Sequence, residues 1–175
     1  MTHETAESQA QAGLPKVLDL IRQIRIALLT TFGSEGAFHT RPVQTLGVED
    51  DGILWFFTDL NSGKADELRA DMRVSLGYAD IASNRYVAVS GVGTVKRDPH
   101  RAQELWQVEQ RACYPAGPLD QRLGLLRVAI ERAEYWIAPG RASYLFAAVE
   151  AAATGTPAKV IGENKQMKQA PRLEP

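Results

Sequence analysis

The chain has 175 residues, which is enough for one domain that buries a sizeable core without a disulfide or a metal. Lys and Arg number 20 and Asp and Glu number 21, and this net charge of −1 argues against a nucleic-acid partner. The single Cys113 excludes an intrachain disulfide and a multi-cysteine zinc site, and it fits a reducing compartment.

The chain begins with a polar stretch that precedes an amphipathic helix and a strand. Residues 1–13 lack the apolar run of a secretory signal, and we expect a flexible N-terminus before a domain of residues 14–155. Apolar residues recur at helical spacing over residues 14–24, with Pro15 near the helix start, and Ile26–Phe32 is typical of a buried strand. No apolar run approaches the ~20 residues of a spanning helix, so we expect a cytoplasmic protein without a membrane partner.

Turn-forming residues divide the next part of the chain into short strands. Glycine-rich and acidic turns at Gly33–Gly36 and Glu49–Gly52 predict a meander of three antiparallel strands. The strands of this meander are Ile26–Phe32, Ala37–Gly47 and Ile53–Thr58. A short helix is expected over Lys64–Ala70, after the break at Asn61–Gly63.

Two more strands, a helix start and a long strand follow. Gly91 and Gly93 share one face of a strand over Arg85–Val95, and they predict a close backbone approach or a bend. Asp98 before Pro99 predicts the start of a helix that runs to about Cys113. The remaining predicted elements are strands Arg73–Tyr78 and Leu125–Ile137, helix Ser143–Ala153 and a C-terminal tail over residues 156–175.

This order of elements predicts a mainly β protein with some α-helix. About six strands, many joined by tight turns and flanked by a few helices, are typical of a small barrel. A Rossmann dinucleotide fold is disfavoured because the chain has no strand–helix alternation with a GxGxxG turn.

One candidate binding site follows from the residues alone. Ser62, Gly63 and Lys64 stand between a strand and a helix start, where backbone N–H groups, a hydroxyl and an ammonium can hold an anion. Arg41 on a neighbouring strand would add a bidentate clamp. The same residues are also typical of an ordinary turn and a solvated strand, and the P-loop pattern is absent, so both interpretations stay open. The three scattered histidines lack ligand spacing, and we expect no metal.

Several short motifs carry a family resemblance across residues 14–150. They are Arg41-Pro42-Val43-Gln44, Phe56-Phe57-Thr58 with Ser62-Gly63-Lys64, Val87–Gly91, and Glu134-Tyr135-Trp136. In this order and spacing they resemble the FMN-binding split-barrel superfamily that includes pyridoxamine 5'-phosphate oxidase. Within it, the chain is similar to the bacterial general stress protein branch.

The resemblance implies a fold, a cofactor and a partner. The fold would be a six-stranded split β-barrel that forms a homodimer, with two FMN sites in the dimer interface. Arg41, Ser62, Gly63 and Lys64 would hold the FMN phosphate. The residues implied along the ribityl chain and the ring are Pro42, Val43, Gln44, Phe57 and Thr58. From the second subunit, the family pattern implies Tyr86 and Trp136.

Departures from the family pattern bear on the activity. The oxidase branch follows its Trp with an Arg-x-His that grips the substrate, and here Arg141 is present while Ser143 replaces the His. The Lys that ends the oxidase's phosphate strand is absent after Arg41, where Leu46 stands. We therefore expect a flavin-dependent oxidoreductase of the stress type with an unknown small-molecule substrate, rather than a true pyridoxamine phosphate oxidase.

The sequence leaves the catalytic residues unassigned and keeps other functions open. Tyr86, His39 and Arg141 are the candidate acid–base groups. A non-catalytic flavin-binding or sequestering protein is the first alternative. A split barrel that uses F420 or haem is the second; F420 favours more basic residues at the phosphate site, and haem favours an axial ligand such as His39.

Overall fold

The structure is a computed structural model and describes residues 6–156 and 162–168. Parts of the predicted N-terminus and C-terminal tail therefore lie outside the described residues. The α-helices are α1 (Ala6–Ile24), α2 (Gly63–Ala70), α3 (Pro99–Leu105) and α4 (Arg141–Thr154), and two 3₁₀ helices span Val108–Ala112 and Gly117–Leu119. The strands are β1 (Ile26–Phe32), β2 (Phe38–Gln44), β3 (Gly47–Val48), β4 (Ile53–Asp59), β5 (Arg73–Asp80), β6 (Arg85–Lys96), β7 (Leu123–Ile137) and β8 (Glu163–Lys168).

All strand pairs in the described chain are antiparallel and form one curled sheet. The strand order is β2-β1-β5-β6-β7-β4-β3, and β8 pairs with β7 beside this path. The two strands at the ends of the order, β2 and β3, are separated in the chain only by Thr45 and Leu46. The sheet therefore curls back on itself, and the predicted mainly β split barrel with flanking helices is confirmed.

The strand count and the meander differ from the prediction. The expected strand 37–47 breaks at Thr45 and Leu46, so its first part pairs with β1 and its last two residues pair with β4. Because β4 pairs with β7, it does not continue a meander from β2. The segment predicted as a C-terminal tail contributes β8, so the described sheet has eight strands rather than six.

Helix α1 closes the barrel with its apolar face. Val17, Leu18 and Ile21 are fully buried and join a core with Leu29 and Phe56 from the strands. Burial of each such side chain contributes about 1.5–3 kcal/mol. Met167 of β8 packs into the same core, so the last described strand helps to hold α1 against the sheet. No helix in the described part of the chain is long and apolar enough to cross a membrane.

Two helix predictions are corrected. Helix α1 begins at Ala6, eight residues before the predicted start, because the Ala- and Gln-rich stretch favours helix, and Pro15 therefore lies inside it. The helix predicted from Asp98 to about Cys113 starts as expected, with the Asp98 carboxylate accepting from the Arg101 N–H at 3.0 Å. It ends at Leu105, because the backbone of Trp106 is extended. The Trp106 ring packs against Phe57, with 5.9 Å between the ring centroids.

The prediction of a close backbone approach at Gly91 is confirmed. The pairing of β6 with β7 shifts between Ser90 and Gly91, which is a β-bulge. A Cβ atom on Gly91 would lie 2.0 Å from the carbonyl oxygen of Ala129. Only glycine fits this point, where the long strand bends around the barrel.

Candidate functional site

The predicted anion site lies at the start of α2. Ser62 is the N-cap residue, and its hydroxyl donates to the Asp59 carbonyl at 2.6 Å and accepts from the Ala65 N–H at 3.4 Å. Gly63 faces open space, since an added Cβ would meet no atom within 4 Å. Because the first N–H groups of a helix have no partner within the helix, this end can receive an anion.

Two cations lie beside this helix: Lys64 is its second residue, and Arg41 bonds to Glu67 on the next turn at 3.0 Å. Burial lowers the pKa of Lys64, the positive charge of Arg41 lowers it further, and Asp59 acts in the opposite direction. Arg41 reaches the same place from β2, where its side chain is about three-quarters buried. Two neighbouring, partly desolvated cations are stabilised by an anion placed between them. The structure thus brings together Arg41, Ser62, Gly63 and Lys64, and these residues fit a phosphate group.

A carboxylate that the sequence analysis did not single out organises Arg41. Glu67, one turn after Lys64 on α2, accepts from Arg41 Nη2 at 3.0 Å and lies 2.5 Å from His39 Nδ1. It also accepts from the Thr31 hydroxyl, which in turn accepts from Arg41 Nη1. Burial raises the pKa of Glu67, but the hydrogen bonds from Thr31, His39 and Arg41 outweigh it and hold that pKa at about 2.

Glu67 therefore carries its charge at neutral pH and holds Arg41 in place. The sequence contains only an indirect signal for such a carboxylate. His39 and Arg41 occupy alternate positions of one strand, so both side chains lie on the same face. Two basic groups on one face favour a carboxylate partner, but no local pattern indicates that Glu67 of α2 supplies it.

The other predicted residues of β2 divide between its two faces. Val43 is buried in the core, whereas Pro42 and Gln44 lie on the outer face of the sheet. The Gln44 side-chain Oε1 accepts from the Gln110 side-chain Nε2 at 3.3 Å. Strand β2 ends the strand order, which fits Pro42, because proline has no N–H to donate to a further strand.

Phe57 and Thr58 point to opposite sides of β4. Thr58 is buried, with 1% of its surface exposed. Phe57 packs outside the barrel, against Trp106 at 5.9 Å and Tyr114 at 6.3 Å between ring centroids. The two residues cannot present their side chains to one ligand from the same face, and the role of each in a cofactor site stays a prediction.

Tyr86 and Trp136 are neighbours but lie away from the anion site. They are directly paired across β6 and β7, and both are half-buried. Strand β6 is three strands away from β2 in the sheet order. Within one protomer the structure therefore does not join this aromatic pair to Arg41.

Comparison with known proteins identifies the fold and the family. A barrel of this topology with a basic helix terminus at its edge defines a protein of the split-barrel class. The family model described as "Pyridoxamine 5'-phosphate oxidase like" matches residues 13–158. The chain belongs to this family.

Individual proteins of known sequence have low identity to the chain. The chain is 26% identical over 123 residues to Protein bli-3 of Neurospora crassa, a match that covers 65% of this chain and 59% of that protein. It is 32% identical over 96 residues to the pyridoxine/pyridoxamine 5'-phosphate oxidase of Methylibium petroleiphilum, covering 55% of this chain and 40% of that enzyme. The chain thus spans less than two thirds of the curated relatives it matches.

A solved structure provides a further similar protein. The structure of the general stress FMN/FAD binding protein from Xanthomonas citri superposes with a TM-score of 0.64 at 26% identity. The superposition covers 74% of this chain and 92% of that one.

Proposed function

We propose that this protein binds FMN and is a flavin-dependent oxidoreductase with a small-molecule substrate. The observation that carries the proposal is the placement of Lys64 in the first turn of α2 and of Arg41 beside the same helix, bonded to Glu67 at 3.0 Å. The family membership and the similar FMN/FAD binding protein of Xanthomonas citri favour a flavin nucleotide as the ligand whose phosphate binds at this site. When bound, the flavin would supply hydride or single-electron transfer.

The chain's own residues would bind and orient this group. Arg41 and Lys64 would neutralise the phosphate, and the open Gly63 N–H would donate to it. Glu67 and Thr31 keep the Arg41 guanidinium in a fixed direction, so less conformational entropy is lost on binding. The outer edge of β2 with Pro42 and Gln44 offers a surface along which the rest of the cofactor would lie.

We further propose a homodimer that places Tyr86 and Trp136 of one subunit at the FMN of the other. The outer sheet face supports this proposal because it exposes large apolar side chains. Ile26, Leu28 and Phe38 are 53%, 55% and 69% exposed. Exposed large apolar side chains on a sheet face are typical of a protein–protein interface, and a second copy would cover them.

A carrier without turnover is the second candidate. Its support is that the two ionisable groups beside Arg41 are engaged in structure, since His39 and Glu67 bind each other. The absence of the oxidase's His, where Ser143 stands, argues against vitamin B6 oxidation. The long acidic tail of F420 would need more basic residues than Arg41 and Lys64. Haem would need an axial ligand, and His39 bonds to Glu67 instead. Both cofactors therefore rank below FMN. We propose the cytoplasm as the location, in keeping with the single exposed Cys113.

The decisive experiment compares FMN with riboflavin on the wild type, Lys64→Ala and the control Lys96→Ala. Lys96 is an exposed strand lysine, so its loss changes the net charge equally. Loss of the charge-assisted bond in Lys64→Ala should weaken FMN binding by about 1.5–3 kcal/mol and leave riboflavin unchanged. If Lys64→Ala keeps the full preference for FMN, the assignment fails. Oxidation of NAD(P)H by the FMN-loaded protein then separates the oxidoreductase from the carrier, which should show none.

A further inference from the structure

A second polar pocket lies beyond the end of β2. It has a volume of about 210 Å³ and is lined by Ile21, Arg22, Arg25, Thr45, Leu46 and Val48. The Thr45 N–H donates to the Arg25 carbonyl at 2.7 Å, so the pocket begins one residue after Gln44. It is therefore adjacent to the strand that we assign to the cofactor and separate from the Arg41–Lys64 anion site.

The backbone at the pocket is strained at a charged residue. Arg25 follows the last residue of α1 and has a φ of 63°, in the left-handed region that favours glycine. Its N–H donates to the Ile21 carbonyl at 2.9 Å, which closes the helix. A glycine would close the helix equally without the steric cost, so the helix end itself does not require an arginine.

The two arginines of the pocket differ in their charge partners. Arg22 is neutralised by Asp19 at 3.1 Å and Asp50 at 2.6 Å. Arg25 has no carboxylate within ion-pair distance among the residues that the structure describes. Its guanidinium donates only to the neutral Gln107 side chain, at 3.3 Å.

The Arg25 guanidinium contacts one neutral side-chain amide. Gln107 belongs to the turn before the Val108–Ala112 3₁₀ helix, and Gln110 in that helix bonds to Gln44. The residue that bonds to the Arg25 guanidinium thus carries no negative charge, whereas Arg22, the second arginine of the pocket, is paired with Asp19 and Asp50. Most of the five guanidinium donors remain available for a planar anion.

We propose that this pocket binds the anionic group, a carboxylate or a phosphate, of the small molecule that reacts at the cofactor, and that Arg25 is its specificity-determining residue. The inference rests on the proposed function, because it places the anionic group of the substrate beside the end of β2 at which the flavin ring would lie. A volume of about 210 Å³ is below the ~300 Å³ of the smallest pockets for whole drug-sized ligands. The pocket therefore receives one end of the substrate.

The test uses Arg25→Gly, Arg25→Lys and the control Arg111→Ala in the FMN-loaded full chain. Arg111 is an exposed arginine of the neighbouring 3₁₀ helix and does not line the pocket. The probes are inorganic phosphate and acetate, titrated separately against the arginine Nε–H signals in ¹⁵N-edited NMR, which also distinguishes the two anion sources. Thermal unfolding and FMN fluorescence quenching are measured on the same samples.

Arg25→Gly should lower the affinity for the preferred anion at least tenfold while raising Tm by about 2–4 °C, because glycine relieves the left-handed backbone. Arg25→Lys should retain part of the affinity, and Arg111→Ala should retain all of it. Equal losses in Arg25→Gly and Arg111→Ala would overturn the proposal, as would undiminished anion binding in Arg25→Gly. If neither the wild type nor any variant binds FMN, the proposed function fails and the substrate role of the pocket fails with it, whereas an Arg25 signal that still responds to anions supports the anion site alone.

Discussion

Replacing Glu67 by glutamine tests the claim that this carboxylate holds Arg41. Glutamine has nearly the same shape, and its carbonyl oxygen can still accept from Arg41 and Thr31. The negative charge opposite the guanidinium is lost. Hydrogen bonds to charged groups contribute about 1.5–3 kcal/mol and neutral ones about 0.5–1.5 kcal/mol, so Glu67→Gln should lower the free energy of unfolding by about 1–2 kcal/mol at pH 7.

The exposed ion pair on the same helix provides the matched control. Asp66 lies 2.6 Å from Arg69, but its side chain is 72% exposed, against 14% for Glu67. Exposed pairs contribute about 0–1 kcal/mol, so Asp66→Asn should have little effect on stability. Urea unfolding followed by circular dichroism measures both variants against the wild type.

The effect of Glu67→Gln should depend on pH in a defined direction. The pKa of Glu67 is about 2 in the folded protein, below its ordinary value of 4.5. Its contribution to stability is therefore complete above about pH 5 and is lost as the pH falls towards 2. The difference between wild type and Glu67→Gln should shrink from pH 7 to pH 3. A difference that stays constant over this range, or an equal cost for Asp66→Asn, would refute the reasoning.

Three further predictions follow from the contacts. Gly91→Ala should lower the free energy of unfolding by at least 3 kcal/mol, because its Cβ would collide with a backbone carbonyl, whereas Gly77→Ala, with open space in the protomer, should be near neutral; chemical denaturation of both decides this. Met167→Ala should cost about 2–3 kcal/mol and expose α1 to amide hydrogen exchange, and unchanged exchange in α1 would contradict the role of β8. FMN binding should raise the lowered pKa of Lys64, so calorimetry at pH 9 in buffers of different ionisation enthalpy should show proton uptake, which Lys64→Ala should abolish.

Local sequence signals predicted most of the fold. The Asp98-Pro99 cap, the close backbone approach at Gly91 and the alternating faces of β6 depend on neighbouring residues, and all three are confirmed. The pairing of β4 with β7 and the addition of β8 depend on contacts between distant residues. No local pattern determines such pairings, which explains why the meander and the strand count were wrong.

The candidate site was predictable in its cations but not in its carboxylate. Ser62, Gly63 and Lys64 are consecutive, and Arg41 stands in a motif, so sequence alone indicated them. Glu67 acquires its role only when α2 folds against β1 and β2, since its partners are 26 to 36 residues away in the chain. The same holds for Arg25, whose left-handed backbone is not visible in the sequence.

The most direct test of the central claim is a titration of the purified full chain with FMN, followed by visible absorption and gel filtration on the same sample. The account predicts that the flavin bands sharpen, the flavin fluorescence is quenched at one FMN per chain, and the protein elutes as a dimer. An FMN spectrum and fluorescence that stay unchanged at saturating protein would contradict it.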